Sequence, residues 1–264
     1  MIPPLRALSR AMPVVAVALA GALVAAAFTI AAPPASAEAR RPCGKTRILF
    51  LSDSHALGHF GEVVERWLTA RPGAEVHTYA MGGSSPQWWF KGNIAEHGHV
   101  YHSCDGPPTA RMNMRHVRST TPIITELMNV PAGTYEREVV ILAQGTNVPG
   151  TPSIYKEWSA KLVKAIQPSR QRACVWVAPP KMRDRSPRYS DQIFAAIQEG
   201  IQSAASEGAP CRLIDSRKYS EYPASGGDGV HYSFSTDGIA ATKKWGEGVI
   251  SELKTVLPDP PAPR

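Results

Sequence analysis

The chain has 264 residues, of which 43% are apolar and 19% are charged, so it can build a packed core and is not a disordered polymer. Its 24 prolines and 21 glycines disfavour a coiled coil or a long helical bundle. The formal charge of +7 suits anionic surroundings such as cell-wall polymers, but the sequence contains no Lys/Arg block or motif of a nucleic-acid-binding protein.

The N-terminal segment has the layout of a secretory signal peptide. Arg6 and Arg10 precede an apolar run over residues 13–32, and the small residues Ala-Ser-Ala at 35–37 resemble a cleavage site. We therefore expect residues 1–37 to be a signal peptide. Because the apolar run is long enough to span a bilayer, an uncleaved membrane anchor is the alternative. In either case the remainder of the chain is expected to be secreted or periplasmic.

Apolar segments that predict buried strands alternate with segments of helical periodicity along the rest of the chain. Strands are expected at residues 47–52, 75–80, 139–143, 173–178 and 211–215. Helices are expected at residues 61–70, 119–130, 154–166, 193–201 and 245–253, and residues 81–117 are expected to be irregular. This order predicts an α/β fold, a three-layer α/β/α sandwich with a five-stranded parallel sheet. The domain is expected to span residues 38–257, followed by a Pro-rich tail at 258–264.

Four cysteines remain beyond the predicted signal peptide. An even number of cysteines in an exported chain indicates two disulfide bonds. Cys174 and Cys211 each open a predicted strand, so we favour a bond between them, which leaves Cys43 to pair with Cys104. Zinc ligation is the alternative, but the chain has no Cys-x-x-Cys pair.

Polar residues gather where the predicted strands end. These clusters are Ser52–His55, Gly82–Ser85, Gln144–Asn147 and Asp228–His231. Ligands of open parallel sheets bind at the carboxyl ends of the strands, so the clusters predict one shared site.

The residues in these clusters are of the types that nucleophilic catalysis requires. A serine hydroxyl needs a general base, and the base needs a third group that fixes its tautomer. Ser54 is the candidate nucleophile and His231 the candidate base, and Asp228 lies three residues before His231, within reach of its far ring nitrogen. The backbone N–H groups of Ser54 and Gly83 and the side-chain amide of Asn147 are candidate donors to an oxyanion.

The four clusters resemble the conserved blocks of the SGNH (GDSL-like) hydrolase family. The matching residues are Ser52-Asp53-Ser54, Gly83, Gly145-Thr146-Asn147 and Asp228-Gly229-Val230-His231, within roughly residues 47–250. The resemblance implies a flavodoxin-like fold, with Ser54 as nucleophile, His231 as base and Asp228 as the group that orients it. It also implies that Gly83 and Asn147 complete the oxyanion hole. No cofactor and no metal is expected.

Two positions depart from the family pattern. Ser52 stands where the family usually has glycine, and Val148 stands where it usually has aspartate. Asp53 would be structural, and Gly82 is an alternative to Gly83 in the second block.

The Asp-Ser-His-Ala form of the first block resembles the branch that acts on O-acetylated cell-wall or exopolysaccharide sugars. The resemblance implies an exported serine esterase that removes short acyl groups, such as acetyl, from a polysaccharide. Trp88 and Trp89 follow the second block, and their rings are candidates for stacking on sugars. The alternative is that these rings pack the long loop against the sheet.

Three other functions remain open. An O-acyltransferase of the same fold would pass the acyl group to a sugar hydroxyl instead of water. A non-catalytic carbohydrate-binding protein would need the aromatic residues but not the catalytic ones. A metallophosphoesterase would use Asp53 and His55 as metal ligands, although its later Gly-Asp-x-x-Asp and Gly-Asn-His blocks are absent from the sequence. A separate metal site at His97, His99 and His102 is a further alternative.

Overall fold

A computed structural model of the protein describes residues 42–105, 118–147 and 151–258. The predicted signal peptide and residues 259–264 of the predicted tail lie outside these ranges. The strands are β1 (Thr46–Ser52), β2 (Ala74–Met81), β3 (Ile94–Ala95), β4 (Gly98–His102), β5 (Ser119–Thr120), β6 (Arg137–Ala143), β7 (Arg172–Val177) and β8 (Arg212–Ile214). The helices are α1 (His59–Thr69), α2 (Trp88–Lys91), α3 (Ile124–Met128), α4 (Ser153–Ile166), α5 (Pro187–Ser206) and α6 (Thr236–Leu253).

The main sheet has the spatial order β4-β2-β1-β6-β7-β8. Five of these strands pair in parallel, and their order of 2-1-3-4-5 along the chain is that of flavodoxin-like folds. The predicted fold class is therefore confirmed, but the strand count of five is wrong. The sixth strand, β4, lies antiparallel to β2 at the edge of the sheet and comes from the segment expected to be irregular.

Each face of the sheet carries its own apolar core. Along β1, Ile48 and Phe50 pack in the cluster that includes residues of α1 and α6, whereas Leu49 and Leu51 pack in the cluster built with α3, α4 and α5. This division follows from the alternation of side chains along a strand. Because both faces are covered by helices, β1 is apolar throughout its interior, which is why the sequence predicts it well.

The helix expected at residues 119–130 is shorter than predicted. Ser119 and Thr120 pair with β3 as a two-residue strand, and helix α3 begins only at Ile124. Pro122 explains the difference, because a proline disfavours helical backbone at the residue that precedes it.

Two disulfide bonds close the fold, Cys43–Cys104 and Cys174–Cys211. This is the pairing that the sequence favoured, and it leaves no free cysteine among the residues described. Within the same part of the chain, none of the helices combines the length and the apolar character needed to cross a bilayer.

Candidate active site

The chain turns sharply at the carboxyl end of β1. Asp53 caps a short 3-10 helix at Ser54–Leu57, and its carboxylate accepts a hydrogen bond from the backbone N–H of His55 at 3.1 Å. The other oxygen of Asp53 accepts from the N–H of Thr146 at 3.4 Å, which joins the end of β1 to the end of β6. The turn leaves the Ser54 side chain partly exposed at the edge of the sheet, as the sequence predicted for a residue beyond a buried strand.

Three side chains from two distant segments form a continuous hydrogen-bonded chain. Nε2 of His231 lies 2.8 Å from Oγ of Ser54, and Nδ1 of His231 lies 2.7 Å from Oδ2 of Asp228. The second carboxylate oxygen of Asp228 accepts from the backbone N–H groups of Val230 and His231. The carboxylate therefore holds both the ring and the backbone of His231, and it favours the tautomer whose Nε2 lone pair faces the serine.

The loop that carries Asp228 and His231 is shaped by glycine. Gly229 has a φ of +92°, and a β-carbon there would lie 2.6 Å from Cβ of Asp184. Both facts require glycine at this position. The carbonyl of Gly229 accepts from the N–H of Asp184 at 3.0 Å, so the loop is fixed to the segment that follows β7.

Gly83 and Asn147 lie in the same cavity as Ser54 and His231. The N–H of the neighbouring Gly82 donates to the carbonyl of His97 at 2.8 Å, which commits that group and leaves Gly83 as the better candidate oxyanion donor. The amide of Asn147 donates one hydrogen to the carbonyl of Ser84 at 3.0 Å, which orients the side chain and leaves a second N–H for a substrate.

The two aspartates of the site differ in electrostatic environment. Burial raises the pKa of Asp53 to about 6, although hydrogen bonds from the backbone of His55 and Thr146 oppose the rise. Desolvation would also raise the pKa of Asp228, but the hydrogen bonds from His231 and Val230 outweigh it and lower the pKa to about 2. Asp228 is therefore ionised at neutral pH and can stabilise an imidazolium on His231.

The cavity at the site has a volume of about 570 Å³. Trp88 lines it, together with Ile94 and Phe234, two apolar side chains that are 62% and 57% exposed. The prediction that Trp89 contacts a sugar is wrong, because Trp89 is fully buried in the core beside α3 and α4. In the sequence the two tryptophans are equivalent, but in the short helix α2 Trp89 is fully buried, whereas Trp88 is partly buried and lines the cavity.

Asp53 and His55 do not form the metal pair of a metallophosphoesterase. His55 is 7% exposed, and its ring lies among those of Tyr232, Trp245 and His231. Burial lowers the pKa of His55 to about 3, so the ring is neutral. Among the described residues, no group of side chains with metal-binding geometry includes Asp53 or His55.

The three histidines from the long loop also fail to converge. His97 lines the cavity, His99 is buried against Glu65 at 3.2 Å, and His102 contacts Glu75 at 2.9 Å. His99 and His102 are three positions apart on β4, so the alternation of side chains along the strand places them on opposite faces of the sheet. The alternative of one metal site formed by all three histidines is therefore wrong.

Sequence reasoning missed two residues that hold the loop before His231. The hydroxyl of Tyr222 accepts from the N–H of Gly229 at 3.0 Å and donates to the carbonyl of His231 at 2.6 Å. The guanidinium of Arg183 donates to the carbonyls of Pro223, Ala224 and Gly226. Neither residue belongs to a local sequence motif. The one signal in the sequence was the glycine-rich run at 226–229, which indicates a flexible loop whose conformation has to be fixed by contacts from elsewhere in the chain.

No protein-family model and no curated protein sequence matches the chain. Among solved structures, it is similar to the C-terminal catalytic domain of peptidoglycan O-acetyltransferase A from Streptococcus pneumoniae, with 19% identity over 82% of this chain and 97% of that one, at a TM-score of 0.48. It is also similar to a lipase/acylhydrolase from Enterococcus faecalis, with 15% identity over 83% of this chain and 100% of that one, at a TM-score of 0.47.

A third similar structure is a member of the lipolytic G-D-S-L family from Veillonella parvula. It shares 13% identity over 79% of this chain and 100% of its own length, at a TM-score of 0.48. None of these three similarities reaches a TM-score of 0.5, so a function has to be argued from the geometry of the site.

Proposed function

We propose that the protein is an exported carboxylic ester hydrolase that removes short acyl groups, such as acetyl, from a polysaccharide through an acyl-serine intermediate. The observation that carries this proposal is the hydrogen-bonded chain from Asp228 through His231 to Ser54, with distances of 2.7 and 2.8 Å. This order of carboxylate, imidazole and hydroxyl is what activation of a serine requires. The resemblance of the four sequence blocks to SGNH hydrolases supports the same reaction.

The first half-reaction forms the acyl-enzyme. Nε2 of His231 accepts the hydroxyl proton of Ser54 as Oγ attacks the carbonyl carbon of the ester. The tetrahedral oxyanion receives hydrogen bonds from the N–H groups of Ser54 and Gly83 and from the amide of Asn147. The intermediate collapses as His231 returns the proton to the leaving alcohol, while Asp228 stabilises the transient imidazolium.

The second half-reaction releases the acid. A water molecule gives a proton to Nε2 of His231 and attacks the acyl carbon, and the collapse of the second intermediate returns the proton to Oγ of Ser54. The side chain of His231 is 47% exposed, so water reaches the base directly.

The cavity supports a carbohydrate ester as substrate. Trp88 and Phe234 present aromatic surface beside the catalytic side chains, and such surface packs well against the apolar faces of sugar rings. Export is supported by two disulfide bonds, which persist in oxidising compartments, and by the pattern of the first 37 residues.

An ester panel tests the proposal. Aryl acetate, aryl butyrate and acetylated polysaccharides are incubated with the wild-type protein, and kcat is measured with and without an acceptor sugar. The Ser54→Ala variant should lose roughly 10⁴-fold or more in kcat and should not react with a fluorophosphonate. The matched control is Ser206→Ala, at an exposed serine near the end of α5.

Full turnover by the Ser54 variant would refute the serine mechanism. Acetate release that requires an acceptor sugar would instead identify an acyltransferase. A wild-type protein that binds the polymer but resists fluorophosphonate would be a binding protein.

A further inference from the structure

A second cluster of chemically active side chains lies at the opposite end of β2. Glu75 and His77 are two residues apart on this strand, so they share one face. The antiparallel register places His102 of β4 directly opposite His77, and the two rings lie 4.1 Å apart. Nε2 of His77 and Nε2 of His102 lie 2.8 and 2.9 Å from the same oxygen, Oε1 of Glu75.

The second nitrogen of His102 faces another carboxylate. Nδ1 of His102 lies 3.6 Å from Oδ2 of Asp105, so this ring stands between two acidic groups. With a cation bound between Nε2 of His102 and Oε1 of Glu75, the Nδ1–H group of His102 would point towards Asp105. A carboxylate behind a ligating histidine is a common arrangement in metal sites.

We propose that Glu75, His77 and His102 bind one divalent transition-metal ion, with zinc as the best match to two imidazoles and one carboxylate. The three donor atoms already lie within 4.8 Å of one another. Tetrahedral zinc with bonds of about 2.0–2.1 Å places its donors roughly 3.3 Å apart, so the two histidines need to move only slightly away from Glu75. Water would take the fourth position.

The surroundings are compatible with a bound cation. The side chains of Glu75, His77 and His102 are 5%, 17% and 13% exposed, so the site is sheltered but within reach of solvent. The nearby cation Arg47 is paired with Glu138 at 3.0 Å, which offsets its charge.

The position of this site points to a structural role. Strand β1 runs parallel to β2, with Arg47 opposite Glu75 and Ser52 opposite Ala80. The five residue steps from Glu75 to Ala80 span about 17 Å, and this length of β2 separates the proposed metal site from the edge of the sheet that carries the candidate active site. The ion would join β2 to the edge strand β4. The Cys43–Cys104 bond reinforces the same corner, where the N–H of Cys43 donates to Glu75 at 2.9 Å.

Metal titration of the tag-free full chain tests the proposal. The protein is treated with a chelator, dialysed and titrated with Zn²⁺ in a calorimeter, and we expect one equivalent to bind. Zinc at 100 times its Kd should raise Tm by about 5–10 °C. Co²⁺ should produce the visible absorption bands of a low-symmetry site, a measurement that needs no variant.

Three variants locate the site. In His77→Gln and His102→Gln the new amide can still donate to Glu75 but is a poor zinc ligand, so zinc affinity should fall at least 100-fold while the Tm of the metal-free protein changes little. The control is His59→Gln, which removes a different histidine paired with a glutamate and should keep the zinc equivalent. The proposal is overturned if the wild-type protein shows neither zinc binding nor cobalt bands, or if both glutamine variants bind zinc as the wild type does.

Discussion

Asp53 and Asp228 lie at the same edge of the sheet, but their environments are opposite. Asp53 is 2% exposed and is held by backbone N–H groups at the ends of two strands. The Asp228 side chain is 60% exposed and lies on a loop. Burial raises the pKa of Asp53 to about 6, whereas hydrogen bonds lower that of Asp228 to about 2. Asp53 thus connects the ends of two strands through hydrogen bonds, whereas Asp228 is a charged hydrogen-bond partner of the His231 imidazole.

The largest effect on activity is expected when the exposed Asp228 is replaced, and this effect should come with only a small change in stability. In Asp228→Asn the amide stabilises the wrong tautomer of His231, and kcat for an aryl acetate should fall roughly 10⁴-fold. The amide oxygen of Asn can still accept from the backbone N–H groups of Val230 and His231, so the free energy of unfolding should fall by only about 1 kcal/mol in a urea titration. Asp191→Asn, at another exposed aspartate, is the control. Near-normal turnover in Asp228→Asn would remove this residue from the mechanism.

The next largest effect is expected at Asn147, the candidate oxyanion donor. Asn147→Ala removes an amide that the carbonyl of Ser84 orients towards the cavity, so kcat should fall roughly 10²–10³-fold with little change in KM. Asn129→Ala, at an exposed asparagine after α3, should retain full activity. A change in KM alone would mean that Asn147 binds the ground state and does not stabilise the oxyanion.

The residues that the sequence assigned to one candidate site do lie close together, and the reason is their position relative to the strands. Buried parallel strands are continuous apolar runs, and the residues that follow them meet at one edge whatever the loops do between them. Ser54 and His231 are 177 positions apart, yet both could be assigned on this basis. Asp228 followed from its spacing to His231 alone.

Other features depend on contacts that no local pattern records. Strand β4 has only five residues and contains two histidines, so its apolar signal is weak. Which of Trp88 and Trp89 faces the cavity depends on the orientation of a single helical turn. The hydrogen bonds from Tyr222 to the loop that carries His231 come from its hydroxyl, a group that every tyrosine in the chain has, so the sequence does not single out this one.

The raised pKa of the buried Asp53 should make the free energy of unfolding depend on pH. Its folded pKa of about 6 lies above the ordinary value of an aspartate, so the stability that it contributes is fully present below the unfolded pKa and is lost as the pH rises through 6. The complete loss is about 3 kcal/mol, of which about 2 kcal/mol falls between roughly pH 4.5 and 7.5. Asn at this position does not titrate.

Urea titrations of the wild type and Asp53→Asn across this pH range measure the effect. All other groups titrate in both proteins and cancel in the difference, so the wild type should lose about 2 kcal/mol relative to the variant as the pH rises. A difference that is independent of pH would mean that Asp53 has an ordinary pKa in the folded protein.

The smallest effect is expected at Tyr222, whose hydroxyl binds the backbone of the loop that carries His231. Tyr222→Phe removes the hydroxyl that binds Gly229 and His231, but it keeps the ring that packs against Tyr232. The loss of these bonds is worth about 1 kcal/mol, so kcat should fall a few-fold, up to about tenfold, through misplacement of the imidazole. If the residue acts only on folding, kcat of the folded fraction will be normal and Tm will fall instead. A fall in kcat with an unchanged Tm would show that Tyr222 acts on the reaction by positioning the imidazole of His231. Asp53, in contrast, is expected to act on the stability of the fold.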